Sequence, residues 1–151
     1  MRVARSLTVV AFGLMALWAA TPAAADMFGV RAGFYTKAEE PFVGAELLVP
    51  LSHSVFLNPN VEYIFTEGRT HMTFNADFHY DFPTRGRTLV WAGAGLAVLY
   101  SNPEGQGDSS TDMGANFIFG VGRRGPVVPY VQAKLIAKDD TEFVIGVGLR
   151  F

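Results

Sequence analysis

Residues 141–151 constrain the fold more than any other stretch. Phe143, Ile145, Val147, Leu149 and Phe151 fall on one side of an extended backbone, with no polar member. Glu142, Val144, Gly146, Gly148 and Arg150 fall on the other. Residues two apart share a face only in a strand, so this alternation specifies a β-strand held between two different surroundings. Any fold for the chain must supply one greasy environment and one polar, cramped one.

Seven other segments repeat the pattern. Residues 27–35 set Phe28, Val30, Ala32 and Phe34 against Gly29, Arg31, Gly33 and Tyr35, and residues 42–49 set Val43, Ala45 and Leu47 against Phe42, Gly44 and Glu46. Residues 55–66 set Leu57, Val61, Tyr63 and Phe65 against Asn58, Asn60, Glu62 and Ile64. Pro59 has no N–H for a ladder, so this strand is expected to bulge there or to start after it. The clearest alternation is 70–82, with Met72, Phe74, Phe78, Tyr80 and Phe82 opposite His71, Thr73, Asn75, Asp77, His79 and Asp81. Residues 113–122 and 127–138 follow suit, the second with Val131, Ala133 and Leu135 opposite Tyr130, Gln132 and Lys134. Segment 88–100 is apolar on both sides, which leaves its facing open; its neighbours group Val90, Ala92, Leu96 and Val98 opposite Trp91, Gly93, Gly95 and Ala97. Strands of roughly 8 to 13 residues suit tilted passage through a bilayer. No segment holds a helical period, so the chain reads as all-β.

Residues 1–25 are a separate object. Arg2 and Arg5 precede an apolar run from Leu7 to Trp18, and Thr21-Pro22-Ala23-Ala24-Ala25 puts small residues ahead of Asp26. That is the layout of a secretory signal peptide cut after Ala25, and its apolar run is shorter than the roughly 20 residues of a spanning helix. Residues 26–151 then form one domain. Half of the sequence is hydrophobic and 17% is charged, which rules out a disordered chain. Without Arg2 and Arg5 the 12 basic residues become 10 against 14 acidic ones, a formal net charge of −4, so nucleic acid is not an expected partner. The lack of cysteine excludes disulfides and thiolate zinc sites. No later apolar run approaches the length of a spanning helix, so a membrane-spanning form must be a barrel.

Short polar connections join the strands, as antiparallel hairpins require. The exception is a polar, Gly-containing loop expected over 101–112. With the amino terminus of the first strand in the periplasm, the odd connections face outside and the long loop is among them, where such barrels carry their longer loops. Charge sorts along the same line. Outer connections hold Lys37, Arg69 and Lys138 with Glu39, Glu40, Glu67, Glu104, Asp108, Asp112, Asp139 and Asp140; inner turns hold Arg85, Arg87, Arg123 and Arg124 with no acid.

Two features decide which face is inside. The polar face is rich in glycine, as a narrow eight-stranded interior needs and water-facing strands do not. Its mid-strand charges also nearly balance, with Arg31, Lys134 and Arg150 against Glu46, Glu62 and Asp77. Buried charges must be paired or they cost several kcal/mol each, whereas an Arg or Lys on the lipid face costs roughly 2–4 kcal/mol at mid-depth. The expected fold is therefore a closed eight-stranded antiparallel up-and-down transmembrane β-barrel. Its lumen is plugged by a charge network of Arg31, Glu46, Glu62, Asp77, His79, Lys134 and Arg150. Phe34, Phe65, Phe82 and Phe151 end the apolar faces as aromatic girdles. The competing reading is a soluble, lipocalin-like barrel that turns its apolar face in around a hydrophobic ligand.

The leader, the eight alternating strands, Pro129-Tyr130-Val131 and the ending Gly146-Val147-Gly148-Leu149-Arg150-Phe151 together resemble the small outer-membrane barrels of the OmpA, OmpX and OmpW kind. The resemblance implies an integral outer-membrane barrel, for which a monomer in contact with outer-membrane lipid and lipopolysaccharide is expected. It also implies insertion by the barrel-assembly machinery, which would read the terminal strand through Phe143, Ile145, Val147, Leu149 and Phe151. Members range from adhesion proteins to lipid A-modifying enzymes; the short outer loops here argue against adhesion.

No catalytic, cofactor or metal site is expected, and eight strands leave no aqueous channel for a general porin. Gly120-Val121-Gly122-Arg123-Arg124-Gly125 matches a dinucleotide fingerprint, but Pro126-Val127-Val128-Pro129 follows where a helix would have to begin, so it reads as a turn. Asp77, His79 and Asp81 share a face with His71, yet His71 and His79 stand about 26 Å apart at ~3.3 Å per residue and cannot share a ligand. His53-Ser54 lies in an inner turn, away from lipid A. The acidic outer rim reads as solvated loops, with divalent-cation bridging to lipopolysaccharide as the sharper reading.

Overall fold

In a computed structural model, residues 27–105 and 107–151 are described; the expected leader, 1–25, lies outside them. They form eight strands and no helix: β1 (Met27–Tyr35), β2 (Glu40–Pro50), β3 (Val55–Thr66), β4 (Arg69–Asp81), β5 (Thr88–Pro103), β6 (Ser110–Arg123), β7 (Val128–Ala137) and β8 (Glu142–Arg150). Each pairs antiparallel with the next, and β1 pairs with β8 from Gly29↔Arg150 to Tyr35↔Val144, so the sheet closes and has no free edge along its shared length. Two further bonds seal the seam, from the Phe28 N–H to the Phe151 carbonyl (3.2 Å) and from the Phe151 N–H to the Phe28 carbonyl (2.8 Å).

The registers stagger the strands. From Met27 the partners run through Leu48, Asn58, Asp77, Gly95, Asn116, Ile136 and Glu142, and return to β1 at position 37, ten residues from the start. Such a shear forces the strands to tilt as the barrel closes. It also brings side chains from strands far apart in sequence to one level inside.

The greasy faces point outward on every strand. Phe78, Phe117 and Val147 are 55%, 54% and 55% exposed, while Ile64, Glu62 and Asn116 on the opposite parity are fully buried. An apolar belt that encircles a whole molecule is unstable in water and is what acyl chains require. The middle of the lumen holds buried ions and amides, and the large apolar side chains of the other parity are exposed all round the barrel, the reverse of a soluble carrier that turns its apolar face in around a greasy ligand. Phe34, Phe65, Phe82 and Phe151 are all exposed, and Phe65 and Phe82 meet Tyr63 and Tyr80 edge to face. The open facing of β5 is resolved as its neighbours suggested: Trp91 and Ala97 are buried, Leu96 exposed.

Two expectations are corrected. Pro59 causes no bulge and does not start the strand. The β2–β3 ladder runs to Glu46↔Asn60 and resumes at Val49↔Leu57 in the same register. The Asn58 side-chain amide supplies the donor that Pro59 lacks, bonding the Leu47 carbonyl at 2.7 Å. The expected 101–112 loop shrinks to 104–109, because β5 and β6 stay paired to Ser101↔Ser110. Above the belt both faces of a hairpin meet water, so its strands need not alternate.

Candidate functional site

The inward parity fills the lumen in three zones. At the end where β1 runs out, Tyr35, Phe42, Ile64, Ala97, Leu99, Ile136 and Val144 form a buried apolar cluster. Above it lies a recess of about 310 Å³ lined by Tyr35, Lys37, His71, Leu99, Lys138 and Glu142. The carboxylate of Glu142 accepts the backbone N–H groups of Lys37 (2.7 Å) and Ala38 (3.1 Å) and so fixes the rim. Lys37 also donates to Asp140, and this bond holds the Asp140 carboxyl below its usual range.

The middle zone is ionic. Glu62 accepts from Lys134 Nζ with both oxygens at 2.8 Å, from Tyr35 Oη, and pairs with Arg31 Nη2 at 3.2 Å. Arg31 Nη1 lies 3.7 Å from Glu46, which binds Arg150 Nε at 2.9 Å, Tyr130 Oη at 2.5 Å and Asn58 Nδ2 at 3.0 Å. Arg31 thus bridges two carboxylates contributed by β2 and β3. Gly44 lies beside both Arg31 and Glu62, and a Cβ there would sit only 2.5 Å from the Val61 carbonyl.

Five of the seven expected network residues come together in this way: Arg31, Glu46, Glu62, Lys134 and Arg150. Asp77 is inside but forms no ion pair among the described residues. Its oxygens accept Asn60 Nδ2 (3.1 Å) and Asn116 Nδ2 (2.8 Å), because β3 and β6 place amides, not cations, at its level. His79 also stands apart. It lies between Phe56 and Trp91 (ring centroids 5.3 and 5.8 Å), with Nε2 3.5 Å from Asp81 Oδ1. His71 sits at the other end of β4, 3.8 Å from Glu40. Among the described residues no three His, Asp or Glu side chains gather as metal ligands.

An asparagine chain is the main feature that sequence reasoning missed. Asn75 Nδ2 bonds Asn60 Oδ1 (2.9 Å), and Asn116 Nδ2 bonds Asn75 Oδ1 (2.8 Å) as well as Asp77. The signal was present, since Asn58, Asn60, Asn75 and Asn116 all lie on the polar parity, where an amide can both give and accept.

The third zone is aromatic. Trp91, Ile118 and Tyr130 pack with Leu89; Trp91 Nε1 bonds Gln132 Oε1 at 3.0 Å, and the Arg150 guanidinium lies 4.8 Å from the Trp91 ring and 4.4 Å from the Tyr130 ring. Gly120, the first glycine of the GxGxxG run, is explained here: a Cβ would fall 2.1 Å from the Trp91 ring. The run is the end of β6 and a turn. The expected assembly-strand residues Phe143, Ile145, Val147, Leu149 and Phe151 are all exposed on the apolar face of β8 and just beyond it.

Outward grease, inward ions and a sealed staggered ladder define the class: an eight-stranded transmembrane barrel of the outer-membrane kind. No known family's sequence pattern and no curated protein sequence matches the chain. Solved structures match its fold. The N-terminal β-barrel domain of OprF from Pseudomonas aeruginosa superposes with a TM-score of 0.65 at 16% identity, over 83% of this chain and 96% of that one. Neisserial surface protein A gives 0.61 at 15% identity, over 83% and 94%. The outer membrane enzyme PagL gives 0.59 at 14% identity, over 84% and 99%.

Proposed function

We propose that this protein is an exported, integral outer-membrane barrel that acts as a structural or interaction element of the envelope rather than as a general porin. The filled lumen carries the reading. An apolar plug, an ion and amide layer and an aromatic layer occupy the interior in series, which suits a stable anchor and leaves solutes no path. On this reading residues 1–25 are a cleaved leader, the protein is a monomer bathed in lipid and lipopolysaccharide, and β8 is the strand the assembly machinery reads. Fractionation tests the location: the protein should pellet with outer membranes and shift its gel mobility on heating. Planar-bilayer recording tests the closed lumen, which predicts no steady conductance; a stable open channel would refute it.

The protein is read as non-enzymatic. PagL shares the fold and is an enzyme, so the test is direct: overproduction should leave the mass profile of lipid A unchanged.

A further inference from the structure

The end of the barrel where β1 begins and β8 finishes carries four exposed arginines that neither the lumen nor the seam uses: Arg85, Arg87, Arg123 and Arg124. The β4–β5 and β6–β7 turns that bear them are tied into one unit. Arg124 donates its backbone N–H to the Arg87 carbonyl (2.7 Å), and its guanidinium bonds the Gly86 carbonyl (3.2 Å). Among the described residues none of the four forms an ion pair with a carboxylate. The turns at this end contain no acid, and nearby Asp81 is turned toward His79.

Position distinguishes this cluster from a solvated turn. On β6 the outward parity runs Phe117, Phe119, Val121, Arg123, so Arg123 continues the lipid-facing row at its margin, with Phe82 and Val127 also exposed at this end. A long cationic side chain there lays its stem on the apolar belt and its head at headgroup depth. A guanidinium fork matches phosphate oxygens two at a time. We propose that these four arginines form a docking surface for the headgroups of anionic phospholipids in the adjoining leaflet. An acidic protein segment would need the arginines to point along the barrel axis, away from the belt; Arg123 does not. The proposal rests on the membrane location proposed above.

The test uses protein extracted from membranes in nonionic detergent, with phosphatidylglycerol or phosphatidylcholine added to the micelles and retained lipid read by native mass spectrometry. Phosphatidylglycerol should be preferred, by about fivefold for each arginine that engages a headgroup. R85Q/R87Q/R123Q/R124Q should abolish the preference, and K37Q/R69Q/K138Q, at the opposite end, should keep it. Should the quadruple variant fail to fold, wild type at about 0.5 M salt, with a Debye length of ~4 Å, should lose the preference, and R123Q should reduce it. Equal retention of both lipids by wild type, a preference that survives the quadruple change or high salt, or one that vanishes in the opposite-end variant would overturn the proposal. Capture of polyaspartate together with equal lipid retention would assign the arginines to an acidic protein instead. A protein that fractionates as soluble refutes the membrane location as well; one that pellets with membranes yet retains both lipids equally refutes the docking surface alone.

Discussion

Glu62 is the most exposing single test of the lumen. It is fully buried, and it is the one carboxylate among the described residues that pairs with Lys134, itself 1% exposed; it also pairs with Arg31. Glu62→Gln keeps the shape and removes the charge. Arg31 retains Glu46 at 3.7 Å, but Lys134 is left without a counter-ion. Removing one partner of a buried pair costs about 3–5 kcal/mol. With a urea slope of about 2 kcal/mol/M, the unfolding midpoint should fall by about 2 M. Trp91, the one tryptophan after residue 25, reports the transition from inside the lumen. Asp77→Asn is the control. Its partners are two amides, and an asparagine keeps an acceptor for one of them, so the cost should be about 1–2 kcal/mol. Replacing both members of the pair, as in E62Q/K134M, should recover most of the loss, because a buried pair is often matched by apolar packing of similar volume. Equal midpoint shifts for E62Q and D77N, or no recovery in the double variant, would show that the charges are not held as the geometry has them.

Other positions give independent checks. Asn58→Ala should cost about 1–3 kcal/mol by leaving the Leu47 carbonyl without a donor, and Pro59→Ala, which restores a backbone N–H, should offset part of that loss; unequal urea midpoints for N58A in the two backgrounds would show the coupling. Gly120→Val drives a side chain into the Trp91 ring and should destabilise by about 1–3 kcal/mol or more, with altered Trp91 emission and reduced heat-shifted species on gels. At the rim beside the β1–β2 turn, Lys37 holds Asp140 in its ionised form, so its folded value is depressed. The contact is fully present above the ordinary aspartate range and is lost as pH falls through the lower folded value. Carboxyl NMR should place the Asp140 midpoint below that of a free aspartate in wild type and return it to the ordinary range in Lys37→Gln.

What the sequence could reveal follows from the physics of a strand. Parity is local, so the division of seven strands into two faces was legible from alternation; glycine content and charge balance decided which face is inside, and even β5 followed from its neighbours. The large apolar residues of the polar parity, Phe42, Ile64, Leu99, Ile136 and Val144, were visible too, yet nothing local said that they meet one another. Connectivity depends on the stagger. Lys134 on β7 reaches Glu62 on β3 across the lumen, and Asn116 on β6 reaches Asp77 on β4, because a shear of ten residues sets which levels coincide. That shear is fixed by all eight registers together, and no single segment contains it. Hence the charge balance was readable as a total, whereas the assignment of amides to Asp77 and aromatic rings to His79 was not.

The cost of burying polar groups also governs where function can be sought in such a chain. Inside a sealed barrel, polar residues are needed for register whether or not they act on anything, since each must be satisfied to be buried at all. A clustered histidine or carboxylate in the lumen is therefore weak ground for an active site. The informative residues are those whose chemistry the barrel does not need. The lumen uses Arg31, Arg150, Lys134 and the asparagines, and the rim bonds use Lys37 and Glu142. The four arginines at the other end are exposed, with Arg123 at the margin of the belt, and apart from the bond of the Arg124 guanidinium to the Gly86 carbonyl neither closure nor register uses their side chains. That surplus is the physical reason to look for a ligand at that edge before looking in the interior.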